Sequence, residues 1–342
     1  MDIKQNKKIV KLNEYDKLIY SIGKLLEDAR KNVAKTINII LIETYWKIGK
    51  QIVEYEQKGK ERASYGEELL KKLSKDLTNK YGRGFSRSNL QYMRLFYLKY
   101  PKCQTLSGKL SWSHYVELLN VSNDLARSFY EKQCINENWS VRELKRQMNS
   151  MLFERIALSK DKKDILKLSR KGHIIEKEDD IIKDPYVLEF LNIPMDYRYT
   201  EKQLEQKLIN NLQMFLLELG KGFAFVSRQY KITLNNTHFY VALVFYHTIL
   251  KCYVLIDLKV GKINHQDIGQ MNMYLNYFKT EINARNDKAP VGIVLGAEKD
   301  NVLVEYALGG ISNKLFVARY KLYLPEKNEL KKRLMRLLEN KK

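Results

Sequence analysis

The sequence predicts an α + α/β protein: an N-terminal all-helical domain with a helix-turn-helix-like element, then a C-terminal domain of αβββαβ order around a mixed sheet. Three observations predict it. Apolar residues recur at helical spacing from Tyr15 to about Ile156. A stretch dense in Lys and Asp follows, punctuated by Gly172, Asp184-Pro185 and Pro194. Beyond it the period shortens to that of strands. These features divide the chain into a basic helical domain over residues 1–165, a linker over 166–190 and the α/β domain over 191–342.

From Tyr15 to Val53 the stripe Leu18, Ile22, Leu25, Val33, Ile37, Ile40, Tyr45 and Ile48 predicts two helices. A third spans Gly66 to Asn79. Tyr81-Gly82-Arg83-Gly84 then breaks the pattern, Ser86 caps a helix running to about Tyr100, and Pro101 stops it. Helix, glycine-bearing turn and second helix is the outline of a helix-turn-helix. Arg83, Arg87, Asn89, Gln91 and Arg94 are its candidate contacts to phosphates and base edges, although a solvated face would carry similar residues. Helical spacing continues through Val116–Tyr130 and Val141–Ile156.

In the second domain, Leu204, Leu208, Leu212, Phe215, Leu216 and Leu219 form one helix stripe ended by Gly220 and Gly222. Strands are predicted at Phe223–Leu234, Phe239–Tyr246 and Lys251–Lys259, with Asn235-Asn236 as a hairpin turn. A helix over about Gln266–Phe278, strands at Val291–Leu295 and Leu315–Leu324, and a basic helix from Glu326 complete the order.

Lys and Arg number 61 against 40 Asp and Glu, a formal net charge of +21. Residues 1–150 hold 29 basic and 17 acidic side chains, residues 301–342 hold 10 and 4, and residues 151–200 balance. Such an excess attracts nucleic acid through counterion release, or serves solubility alone. Cys103, Cys134 and Cys252 form no CxxC pair, which excludes a disulfide framework and a cysteine-based zinc site. The Lys-rich stretch Met1–Lys11 lacks the apolar core of a signal peptide, and no run reaches the roughly 18 apolar residues of a membrane span. The expectation is a cytoplasmic protein without membrane partners. Gly82-Arg83-Gly84 lacks the rest of a phosphate-binding loop, so nucleotide hydrolysis has no support.

Asp257-Leu258-Lys259 ends an apolar strand, and alternation puts Asp257 and Lys259 on one face. Alone, the pair could be an ion pair at a sheet margin. Glu205 on the preceding helix, and Gln270 and Tyr274 spaced i, i+4 on the following one, could converge on it. Carboxylates placed so would hold a hard divalent cation that polarises a phosphate and acidifies bound water, with the lysine steadying developing charge. That is phosphodiester hydrolysis. His238, His247 and His265 flank this region without an assigned role.

Phe225-Val226-Ser227-Arg228-Gln229-Tyr230, the run Phe239 to His247, Asp257-Leu258-Lys259 and Gly269-Gln270-Met271-Asn272-Met273-Tyr274-Leu275 resemble the nuclease domain of the bacterial YhcG-like (DUF1016) proteins. Tyr81 to Pro101, Leu110-Ser111-Trp112-Ser113-His114-Tyr115 and Trp139-Ser140-Val141-Arg142-Glu143-Leu144 are similar to that family's helical domain. The resemblance implies the PD-(D/E)XK nuclease superfamily and a metal-dependent DNA endonuclease using Mg2+ or Mn2+. It makes Asp257 the second metal-binding acid, Lys259 the catalytic lysine, Glu205 the helix acid of the metal shell, and Gln270 with Tyr274 a QxxxY motif. Arg228 joins the nucleic-acid contacts.

Where the family has its first aspartate, this sequence has Ala242, which has no ligand atom. Loss of that ligand weakens or abolishes metal binding and turnover. The chain is therefore expected to be a disabled form of a DNA endonuclease, an engineered knockout or a natural pseudoenzyme. The alternative is a catalytically silent DNA-binding module, or a partner in a restriction or mobile-element defence system. Duplex or branched DNA is the expected partner, RNA ranks behind it, and a homodimer with two sites would suit cleavage of both strands.

Overall fold

The computed structural model describes residues 14–58, 63–102, 107–194, 198–324 and 326–339. Met1–Lys11 and Cys103 lie outside the described residues. The chain forms two compact units, residues up to Ser122 with Glu137–Val141, and Asn123–Asn136 with Arg142–Lys342.

In the first unit the long stripe forms one helix, α1 (Glu14–Lys58), where two were expected. The eight-residue step from Leu25 to Val33 is a little over two helical turns, and Glu27-Asp28-Ala29-Arg30-Lys31-Asn32 contains no breaker. α2 (Ala63–Tyr81) and α3 (Arg87–Lys99) follow, joined by a turn in which Gly82 and Gly84 hold positive φ. The Ser86 hydroxyl accepts from the Asn89 N–H at 3.2 Å, capping α3 as expected. Ile52, Leu70, Leu90 and Met93 form the core with Trp112, the first residue of α4 (Trp112–Leu119).

α5 (Asp124–Glu137), α6 (Val141–Asn149), α7 (Leu152–Ala157) and α8 (Lys162–Lys171) belong, α5 but for Glu137 and α6 but for Val141, to the second unit. The helical run thus divides near residue 122, well before the expected 165. Buried Arg155 of α7 forms a salt bridge with Glu218, and that ion pair holds the stretch to the α/β core. The expected linker 166–190 is folded. Ile181, Ile182, Tyr186 and Leu188 are buried in the main core, and β1 (Tyr186–Val187) pairs with the last strand. Its charge, which suggested a linker, is spent in ion pairs such as Lys160–Asp180 at 2.7 Å and Lys167–Glu176 at 2.8 Å.

The expected apolar helix is two, α9 (Glu201–Asn210) and α10 (Leu212–Leu219), separated at Asn211. β2 (Phe223–Leu234), β3 (Thr237–His247) and β4 (Cys252–Lys262) form an antiparallel meander, with Asn235 and Asn236 both at positive φ in the first turn. α11 (His265–Tyr277), β5 (Val291–Glu298), α12 (Asn301–Leu308), β6 (Lys314–Lys321) and α13 (Lys327–Glu339) follow. α12 was not expected. The sheet order is β1-β6-β5-β4-β3-β2, parallel among β1, β6, β5 and β4 and antiparallel from β4 to β2, hence mixed. One face, with Ile256 and Leu258, packs Leu204, Leu208 and Phe215 of α9 and α10. The other, with Leu255 and Val294, packs Ile268, Met271 and Leu275 of α11.

Candidate active site

The β3–β4 ladder runs from His247↔Cys252 to Leu243↔Ile256. Beyond it β3 continues toward Thr237 on β2, while β4 continues toward Lys262 beside β5. One step past the last pair, the antiparallel register brings Ala242 opposite Asp257, at the base of this fork. A polar cleft of about 620 Å3 opens there, lined by Glu201, Glu205, Arg228, Ala242, Asp257, Lys259 and Gln270 among others.

Two breaks in strand alternation shape the cleft. Val241 lies in the core under α11, whereas Leu243, two residues on, lies in the core under α9 and α10, so β3 switches faces at Ala242. On β2 a bulge falls between Phe225 and Ser227, and Gln229 takes φ of 48°, a left-handed conformation rare for a non-glycine residue. Neighbours on a regular strand point apart. Here both Arg228 and Gln229 reach one carboxylate: Arg228 Nε lies 2.9 Å from Glu205 Oε1, and Gln229 Nε2 donates to Glu205 Oε2.

Lys259 Nζ lies 3.1 Å from Asp257, 3.4 Å from Asp267 and 3.7 Å from Glu201. Burial works against its charge, but the three carboxylates outweigh it and hold the ammonium protonated well above the ordinary lysine range. Burial pushes the Asp257 carboxyl up, and Lys259 only partly pulls it back. Gln270 Nε2 lies 2.7 Å from the Tyr274 oxygen, and the Tyr274 hydroxyl donates to the Tyr240 carbonyl at 3.2 Å. Tyr274 is buried behind Gln270 rather than in the cleft lining, so it positions Gln270.

The expected group of Glu205, Asp257, Lys259 and Gln270 thus meets around Ala242, with Tyr274 behind it. Glu201 and Asp267 were missed. Glu201 stands one helical turn before Glu205, a spacing that could have flagged it. Asp267 caps α11, accepting from the Asn264 N–H at 2.9 Å, and its sequence signal is a capping box, which says nothing of the cleft. His247 is a structural group: its Nδ1 accepts from the Leu250 N–H, its Nε2 faces the Lys221 carbonyl, and burial lowers its pKa.

Among the helix-turn-helix candidates, two are corrected. Asn89 accepts from the Trp112 indole at 2.8 Å and donates to the Gly84 carbonyl, and Arg94 pairs with Glu56 at 2.7 Å, so both brace the bundle. Arg83, Arg87 and Gln91 are exposed, Arg87 with Glu67 at 3.2 Å.

A divalent cation needs several oxygen donors. Glu205 and Asp257 each carry a buried oxygen without hydrogen-bond geometry, Oε1 and Oδ2, yet those atoms already face Arg228 and Lys259. Among the described residues, no group of three or more His, Cys, Asp or Glu is arranged to hold a metal ion. With alanine at 242, the residues present fall short of a metal site.

A forked mixed sheet flanked by helices, with acid and lysine on one strand, is the fold of a PD-(D/E)XK nuclease. Residues 179–335 match the YhcG PDDEXK nuclease domain, and residues 21–155 match the DUF1016 N-terminal domain. "Putative nuclease YhcG" of Escherichia coli (strain K12) is 41% identical over 94% of both chains. The chain belongs to this YhcG family of PD-(D/E)XK nucleases. A repair endonuclease from Pyrococcus abyssi (16% identity, TM-score 0.28) matches 38% of this chain and 50% of its own. The EndoMS–dsDNA2 complex (15% identity, TM-score 0.26) matches 39% and 51%. PD-(D/E)XK nucleases generally use divalent metals. No helix among the described residues is long and apolar enough to cross a membrane.

Proposed function

We propose that this chain is the disabled form of a DNA endonuclease, able to hold DNA but not to cut it. The observation that carries the reading is Ala242 at the base of the fork, opposite Asp257 and within the cleft that Glu205, Lys259 and Gln270 line. Glu205, Asp257, Lys259 and Gln270 line the cleft around a position that has no ligand atom, which supports this reading. Mg2+ or Mn2+ binding is weak or absent for want of that donor. Lys259, held charged, contributes a cation for a phosphate, while Arg228 is engaged by Glu205 and Gln206. Duplex or branched DNA is the proposed substrate, ahead of RNA.

The test is cleavage of linear, supercoiled and branched DNA with Mg2+ or Mn2+, comparing the chain with Ala242→Asp. The expected result is salt-sensitive binding without cutting by the chain itself, and cutting by Ala242→Asp that Lys259→Ala then removes. Competition between DNA and RNA of one sequence decides the polymer. A second reading, a silent binding module, is favoured by the cleft's balanced charge, since Glu201, Glu205 and Asp257 face Lys202, Arg228 and Lys259. If Ala242→Asp stays inert on every substrate while both proteins bind DNA, that reading replaces the first.

A further inference from the structure

The N-terminal half of α1 presents apolar side chains to solvent on a scale that the other described residues do not approach. Between Tyr15 and Leu41, eleven large apolar side chains are exposed. At roughly 100 Å2 each they present on the order of 1,000 Å2, above the few hundred Å2 of an ordinary surface patch and comparable to the ~800 Å2 per partner of a standard interface. Further along, α1 turns Ile42, Ile52 and Val53 into its bundle, and Tyr55 is the one large apolar side chain of its described C-terminal part that is exposed.

The pattern within this segment identifies what covers it. Ile19, Leu26, Val33 and Ile40 recur every seven residues and are between 52% and 59% exposed, with Ile22 three residues after Ile19. These four form one apolar stripe, and Ile22 and Ala29 complete the seam three residues on before Thr36 and Glu43 end it, so the face that packs lengthwise on another helix is concentrated between Ile19 and Val33.

Charge narrows the partner further. In a chain of net charge +21, residues 14–41 hold five basic and four acidic side chains. A helix that lies on anionic lipid carries a Lys- and Arg-rich polar face, and a helix that grips DNA carries a basic one. This segment has neither, and its near-neutrality lets an identical segment approach without repulsion.

We infer that the exposed face of α1 is a homodimer interface, covered by the same face of a second copy of this chain. The inference is independent of the nuclease reading, because it uses no residue of the cleft. The two copies bury the repeat residues against each other about a two-fold axis.

Sedimentation equilibrium of the full chain at micromolar concentration tests it, with the double substitution Leu26→Glu and Val33→Glu. The expected result is twice the 40.5 kDa chain mass for the unmodified protein and a twofold drop for the variant, with unchanged circular dichroism. Both side chains face solvent in a single chain, so folding is not at stake. A second arm mixes donor- and acceptor-labelled copies, and energy transfer is expected for the unmodified chain only. A monomer at every concentration, a dimer that survives the substitutions, a trimer or larger assembly, or capture by phosphatidylserine vesicles in place of self-association would each overturn the proposal.

Discussion

Within the cleft, Glu205 decides how much positive charge is left unpaired. Its two oxygens take up Arg228 and Gln229, and Arg228 also donates to Gln206 at 2.7 Å, so the guanidinium is spent inside the protein. Glu205→Gln removes one negative charge, keeps the shape and leaves a carbonyl for one of the two donors. Arg228, about a third exposed, is then free to turn to a phosphate. DNA affinity of the chain, read by fluorescence anisotropy, is expected to rise severalfold, on the order of 1 kcal/mol. Unchanged or weaker binding would mean that phosphate never reaches Arg228. Sequence patterning found most of this cleft because strand alternation and helical spacing fix which side of an element a residue occupies. It could not find that β2 and β3 slip their alternation at the same level. Nor could it tell outward polar residues from inward ones on a single helix: Asn89 and Arg94 read like contacts for DNA, yet each meets a bundle partner, Trp112 or Glu56, that is distant in sequence.

At the scale of elements, strands were more legible than helix ends. Phe223–Leu234 is bounded by Gly222 and by Asn235-Asn236, local signals that need no tertiary information. The break between α9 and α10 has no such mark, since Asn211 sits inside a continuous apolar stripe, and residues 166–190 looked like a linker because their ion pairs cannot be seen in one dimension. α1 offers a sharper test of what holds elements together. A Cβ at Gly49 would stand 2.0 Å from the Met93 carbonyl oxygen, so the crossing of α1 over α3 depends on a residue without a side chain. Gly49→Ala improves helix propensity by about 1 kcal/mol, but forcing the two backbones apart around the buried Met93 and Ile52 costs about 1–3 kcal/mol. The clash is expected to win, giving a net loss of up to about 2 kcal/mol in urea unfolding. A stabilised Gly49→Ala protein would show that the two helices do not cross this closely.

For the whole molecule, charge and apolar surface are segregated, and the segregation separates two kinds of association. The positive excess lies in residues 1–150 and 301–342, where α13 contributes Lys331, Lys332, Arg333 and Arg336, while residues 14–41 are nearly neutral and the cleft is balanced. DNA binding by basic surfaces releases counterions, so its affinity falls steeply with salt, with a log–log slope of about −0.9 for each phosphate neutralised. Pairing of two copies of net charge +21 through an apolar face responds the other way, since salt screens their mutual repulsion and leaves hydrophobic burial intact. Raising NaCl from about 50 to 200 mM, where the screening length falls below about 8 Å, is therefore expected to weaken DNA binding by orders of magnitude while self-association holds or tightens. Replacing Lys331, Lys332, Arg333 and Arg336 by Gln is expected to flatten the DNA salt slope by about one unit for each phosphate no longer neutralised, and to leave the mass of the assembly unchanged. Lys259→Ala alters the slope by no more than about one unit, because a single cleft cation cannot supply the long-range attraction. If the α13 replacement leaves the slope untouched, that helix is a solvated face, and the phosphate contacts belong to the N-terminal basic residues alone.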